Sequence, residues 1–508
     1  MKYKNPVIYV DYSDPDVVRV GKDYVMTASS FTNTPGLPIL HSEDLVHWKL
    51  VNYALPNIPD VSYNKPRHGC GVWAPAIRYH EGLYYIYYPM PDEGIFVTTA
   101  SDFRGEWSEP VCVIKASGFI DPCPYWDEDG RVYLVYGVAK SRIGYKSVLY
   151  MQELSSDGMS VIGERVKVFD GNENGNDTIE GPKLYKKDDY YYILAPAGGV
   201  KPGWQLALRS KSIWGPYEYK RVLESKDSGI NGPHQGALVD TVSGEDWFIH
   251  FRDVYAAGRI VYLEPVKWVD SWPVMGAEGA PVSEYEAPDT SVSNFTEYLP
   301  EYLPMSDDFS DGLSLQWQWN ANHRAEFYEI SDGNLKLPCL KKTADVLFDE
   351  PNILLQKWNG NRFKAEFMFD ISNLKVSDTV GIIHASMKYA SLAVRVTDSG
   401  LELLEIKGVQ SFKNSIAYTD ENVTVLGHYE LPEDGLITMM YEVAEGDRHE
   451  VVEGVDYALE KVHLKAFDHD VSIDAYPGRW VGAKFGMYAL STGTDGGYLL
   501  CDKVSVEK

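Results

Sequence analysis

Across the first 270 residues, apolar and polar positions repeat one plan five times. Each copy is a turn followed by a strand in which aromatic and aliphatic residues alternate: Lys22–Met26, Glu81–Ile86, Asp129–Leu134, Asp188–Ile193 and Gly244–Ile249. A period of two sends successive side chains to opposite faces of a strand. Upstream of each lies another strand start, marked by Pro or Gly. In order, these starts hold Asp14, Trp73, Asp121, Glu180 and His234, with gaps of 59, 48, 59 and 54 residues. Such spacings are too long for a solenoid repeat and close to a four-stranded propeller blade. Later in the units, Ser42–Trp48 and Ser101–Trp107 echo each other and are expected in outer strands.

Five units predict an all-β, five-bladed β-propeller over residues 1–275. Inner strands line a central channel, so side chains at one repeat phase meet at one mouth. An Asp or Glu beside Pro is by itself an ordinary turn residue. Three carboxylates at one phase, Asp14, Asp121 and Glu180, are better explained by a shared site.

From Ser271 the pattern loosens. Pro281, Pro288, Pro300 and Pro304 punctuate an acidic stretch, so residues 276–305 are expected to be a linker wrapping the surface. Short alternating strands resume with Phe363–Phe369 and Leu392–Val396 and close with Val481–Tyr488. Residues 306–508 therefore predict a concanavalin-like (jelly-roll) β-sandwich.

Composition narrows the function classes. The chain has 508 residues, 44% of them hydrophobic, with 36 Tyr and 13 Trp, so it has ample material for two packed cores. A formal net charge of −27 argues against nucleic acid or an anionic membrane as partner and suits a neutral substrate. Five cysteines without CxxC spacing argue against a disulfide framework or a zinc site. The N-terminal Met1–Pro6 has no apolar signal region and no apolar run is long enough to span a bilayer. A cytoplasmic location is expected, or a secreted one if a signal peptide has been trimmed.

Two carboxyl groups facing each other across a pocket are the minimum kit for glycosidic bond hydrolysis. One donates a proton to the leaving oxygen, and the other activates water or attacks directly. The donor must stay protonated near neutral pH, which needs burial or a neighbouring negative charge. Glu180, ahead of Gly181-Pro182 in an aromatic setting, suits the acid, with Asp121 as the neighbouring charge. Asp14 suits the base, but Asp16, two residues on in an extended strand, is expected on the same side and competes with it.

The ordered set Asn5-Pro6-Val7, Asp14-Pro15-Asp16, Pro35–Ser42, Asp44–Trp48, Trp73-Ala74-Pro75, Ile120-Asp121-Pro122, Glu180-Gly181-Pro182 and Gly258-Arg259 resembles glycoside hydrolase family 43. Residues 306–508, opening with Asp307-Asp308-Phe309 and Gln316–Asn320, look like the sandwich of that family's β-xylosidase branch. The resemblance implies an inverting hydrolase with Asp14 as general base, Asp121 as pKa modulator and Glu180 as general acid; it favours Asp14 over Asp16. Inversion implies carboxyl groups roughly 6.5–9.5 Å apart. Phe31 and Trp73 would wall the sugar pocket, core packing being the other reading of each. Arg259 would bind sugar hydroxyls or the base, or else form a surface ion pair. His234 would touch substrate or a central calcium ion, or else sit satisfied in the core. The chain departs from common xylosidase wording at Asp16 and around His234.

A loop of the sandwich, Tyr476–Trp480, would close the site to a pocket, with Trp480 on the substrate. The expected reaction is exo-hydrolysis of terminal β-D-xylose or α-L-arabinofuranose from xylo- or arabino-oligosaccharides. No cofactor is required, a structural calcium is allowed for, and a homo-oligomer is left open. Asp307 and Asp308 could instead hold calcium in a carbohydrate-binding module. Competing readings are a non-catalytic sugar-binding propeller, an arabinan-specific hydrolase of the same family and a retaining fructan hydrolase. The last lacks its Asn-Asp-Pro-Asn wording here.

Overall fold

A computed structural model describes residues 2–290, 303–413 and 416–508. Five four-stranded antiparallel sheets follow in chain order, each with its strands in sequence order. Their first strands are Asp16–Val20, Ala76–His80, Phe119–Trp126, Lys183–Lys187 and His234–Asp240. This is the expected five-bladed propeller. The second strands, among them Val132–Val138 and Tyr190–Ala197, carry the aromatic alternation seen in the sequence.

That alternation has a physical cause. Val132, Leu134 and Tyr136 of the third blade pack on Tyr85, Tyr87 and Val97 of the second. Tyr133 and Val135, one position out of step, pack on Leu184, Ile193 and Leu206 of the fourth. Each blade thus has two apolar faces, and both are covered by neighbours. Full burial of such a side chain contributes roughly 1.5–3 kcal/mol.

Two expectations need correction. Asp14, Trp73 and Glu180 stand two or three residues ahead of their strands, Asp121 sits at a bulge within one, and His234 opens one. The shared phase is therefore approximate. Ser42–Trp48 and Ser101–Trp107 lie between the third and fourth strands of their blades and form turns, not outer strands. In the first, the Asp44 carboxylate accepts from the backbone N–H groups of Val46 and His47 and ties the turn shut.

The ends of the first domain are laced together. Lys2–Lys4 pairs antiparallel with Glu284–Glu286, and Asn5 N–H donates to the Ser283 carbonyl. The expected linker of residues 276–305 thus contains a paired strand; its residues 291–302, Pro300 included, lie outside the described residues.

Residues from Gln318 to Glu507 form two antiparallel-dominated sheets around one apolar core that includes Trp358, Phe367, Tyr441 and Phe485. This is the expected concanavalin-like sandwich. Asp307 accepts from Phe309 N–H, Ser314 N–H and the Trp317 indole, while Asp308 accepts from Ser310. The two acids organise the opening turn of the domain. The five cysteines are all free. No helix among the described residues is long and apolar enough to cross a membrane.

The sandwich docks on the propeller by backbone as well as side chains. Thr34 and Trp319 exchange backbone hydrogen bonds, and the Asn322 side chain bonds both the N–H and the carbonyl of Ile58. Ala483 N–H donates to the Ala256 carbonyl at 2.7 Å.

Candidate active site

Asp14 has a left-handed backbone, with φ 57°, which a non-glycine residue adopts at a cost. The kink lifts it out of the strand that begins at Asp16. Its Oδ2 accepts from the hydroxyls of Ser13 at 2.8 Å and Ser29 at 2.6 Å. Arg259 Nη1 lies 3.6 Å from Oδ1 and donates to Ser13 Oγ at 2.6 Å. Arg259 therefore pairs with Asp14 and is buried, not a surface cation.

Asp16 does not share that side. It is fully buried, accepting from Ile77 N–H at 2.6 Å and Arg78 Nη1 at 2.7 Å, with Lys183 Nζ 3.9 Å away. The rule that residues two apart face one way fails because Asp14 is not in the strand. Asp16 is a neutralised structural acid inside the propeller.

Asp121 also has a left-handed backbone, φ 56°, where the register of its strand slips between Ile120 and Cys123. Its Oδ2 accepts from Gly181 N–H at 2.7 Å. Burial first, and then the charge of Glu180, push the Asp121 carboxyl up to about 8, with a further contribution from Asp14. Glu180 itself keeps 28% of its side chain exposed, and its Oε1 lies 3.3 Å from His234 Nε2. Of these two acids, Glu180 is the one that can reach a bound molecule. Burial and the close approach of the two acids thus make a doubly ionised Asp121–Glu180 pair costly.

His234 is buried, and neither ring nitrogen is aligned for a hydrogen bond with a protein partner. Calcium takes six to eight oxygen ligands. Here Glu180 is the carboxylate in contact with the ring, while Asp16 is already held by Arg78 and Lys183, two cations that repel another. A calcium ion at the ring would therefore take most of its ligands from water.

Phe31 is 4% exposed and exchanges two backbone hydrogen bonds with Val72. Its ring sits 6.3 Å from that of Trp73, and Arg142 lies over the indole of Trp73 at 5.1 Å. Trp73 is half-buried with its indole N–H lacking a partner. Gly71 makes this wall feasible, because a Cβ there would stand 2.2 Å from the Phe31 carbonyl oxygen.

A cavity of about 590 Å³ opens at Glu180 and Arg259. The propeller gives it Lys146, Thr178 and Asp253; the sandwich gives it Pro477 to Val481. Trp480, with φ 66°, is 43% exposed and carries the Arg479 guanidinium 4.2 Å over its ring. The strap crosses directly over Gly69, where a Cβ would meet Arg479 Cγ at 2.6 Å. Sequence reasoning missed Ser13, Ser29, Arg78 and Lys183. Arg78 and Lys183 were only cations in strands, and Ser13 and Ser29 only polar residues flanking them, which does not identify a partner.

One consequence concerns stability. An unfolded aspartate releases its proton near pH 4, whereas folded Asp121 holds it to about 8. Between those values the folded state binds more protons, so this group lowers stability as pH rises. Asp121→Asn removes that loss. Its melting temperature should exceed that of the unmutated protein by a margin that opens above about pH 4 and is complete above 8. Thermal melts across pH test this, and a constant margin contradicts it.

Comparison with known proteins gives two family matches. Residues 3–273 match Glycosyl hydrolases family 43. Residues 306–507 match the Beta xylosidase C-terminal Concanavalin A-like domain. A relative from Xylanibacter ruminicola is 38% identical over 365 residues, covering 70% of this chain and 66% of its own. A non-reducing end α-L-arabinofuranosidase of Bacteroides ovatus is 30% identical, covering 97% and 92%. A solved structure of a bifunctional protein from Bacteroides eggerthii superposes with a TM-score of 0.79 at 27% identity. That match covers 99% of this chain and 63% of the other, so the chain spans under two thirds of that protein's length.

Proposed function

Since the chain belongs to glycosyl hydrolases family 43, we propose that it is an inverting exo-glycosidase that removes terminal β-D-xylose or α-L-arabinofuranose from short oligosaccharides. The observation that carries this reading is Glu180 facing a cavity lined in part by the sandwich strap, with the buried Asp121 accepting from the N–H of the next residue. Glu180 donates the proton to the leaving oxygen. Asp121, buried beside Glu180, makes ionisation of both acids costly, so the pair retains a proton, and it fixes the turn through Gly181 N–H. Asp14, held by two serine hydroxyls and faced by Arg259, orients and deprotonates the attacking water.

The cap supports action at chain ends, because Trp480 and its neighbours restrict one side of the cavity. The description of the matched sandwich domain supports xylose, and the Bacteroides ovatus relative supports arabinofuranose.

The deciding experiment is NMR of the first product released from aryl β-xyloside and aryl α-arabinofuranoside. The expected product has the opposite anomeric configuration to the substrate. Retention would overturn the mechanism, and binding without turnover on either sugar would favour a non-catalytic sugar-binding propeller.

A further inference from the structure

Asp11 lies outside every role assigned so far, yet it joins two separate parts of the site. It is 4% exposed. Its Oδ1 accepts from Arg259 N–H at 2.9 Å and its Oδ2 from Gly482 N–H, also at 2.9 Å. Its backbone carbonyl accepts from Lys357 Nζ at 2.7 Å. Arg259 is the residue that faces Asp14, and Gly482 is where the strap bearing Trp480 returns to its sheet. One carboxylate thus bonds the backbone of both, which lie 248 and 471 residues further along the chain.

The packing leaves little slack. A Cβ on Gly258 would lie 2.6 Å from Asp11 Oδ1 and 2.7 Å from Gly482 Cα. Tyr12 N–H donates to the Arg259 carbonyl, so Arg259 is held at both its amide and its carbonyl by consecutive residues. The sandwich lysines Lys357, half-buried, and Lys484, buried, are close enough for Asp11 to favour their charged forms, although desolvation lowers Lys357 to about 8. An amide in place of the carboxylate could not accept from both N–H groups, because its NH2 would face one of them.

We propose that Asp11 is a positioning residue that couples the sandwich strap to the general base, setting Arg259 against Asp14 and seating Trp480 over the cavity at the same time. The sandwich is then a working part of the active site and not an appended module. This rests on Asp14 acting as the base.

Asp11→Asn is the test, read by steady-state kinetics alongside Arg259→Lys and the double variant. Loss of register at the base should cost about 10- to 100-fold in kcat. The double variant should be little worse than Arg259→Lys alone, since both changes act through the same contact. Asn322→Ala, which cuts a different interdomain bond, should leave kcat unchanged. If Asp11→Asn does not fold, Lys357→Met releases the Asp11 carbonyl alone and should lower kcat in the same non-additive way. Unchanged kcat in the folded Asp11 variant, losses that multiply with Arg259→Lys, or an equal loss in Asn322→Ala would overturn the proposal. Asp14→Asn separates the two ideas. If it stays active, the base assignment fails; if it is inactive while Asp11→Asn is unaffected, only the Asp11 proposal fails.

Discussion

Glu180→Gln should lower kcat on xylo-oligosaccharides by roughly 10²- to 10⁴-fold while leaving aryl glycosides with acidic phenols much less affected. A sugar alkoxide cannot leave unprotonated, whereas an acidic phenolate can. The geometry behind this is the exposure of Glu180 to the cavity and the burial of Asp121 beneath it. A second signature follows from the proton this pair retains. With oligosaccharides, the rate should fall as pH rises through about 8, where the Asp121–Glu180 pair loses its remaining proton. In Glu180→Gln this alkaline limb should disappear, since the acid it serves is gone. Kinetics on a series of leaving groups across pH checks both. Equal losses on every leaving group would remove Glu180 from the donor role.

Asp14→Asn should cost roughly 10³-fold or more in kcat whatever the leaving group. Water must be deprotonated in every turnover, so a better leaving group gives no relief. The amide keeps the shape of the carboxylate and can still accept from Ser13 and Ser29, which makes a general loss of fold a poor explanation for inactivity. The contrast between the two variants, one sensitive to leaving group and one not, is the clearest assignment of acid and base. Activity on poor and good leaving groups together measures it, and a leaving-group-dependent loss in Asp14→Asn would reverse the roles.

The blades were legible because their information is local. Turn, aromatic strand and Pro-marked start recur in sequence, and alternation is enforced wherever a sheet is covered on both faces, as Tyr133 and Leu134 illustrate. The phase of the acids was legible only approximately. Left-handed backbone at Asp14 and the bulge at Asp121 shift each relative to its strand, and neither leaves a residue pattern that alternation can register. Asp16 is the instructive case. In sequence it is as good a base as Asp14, and only its pairing with Arg78 and Lys183 removes it from the chemistry.

The sequence by itself determined the five repeats, the all-β class and the second domain, because each depends on residues near one another in the chain. The tertiary structure decided which acid faces the pocket, which one is buried beside it, and how the sandwich reaches Arg259. Those depend on burial and on contacts such as Asp11 with Gly482, 471 residues apart. No local pattern encodes such a pairing. It exists only when two separately packed domains bring the same carboxylate within hydrogen-bonding distance of both.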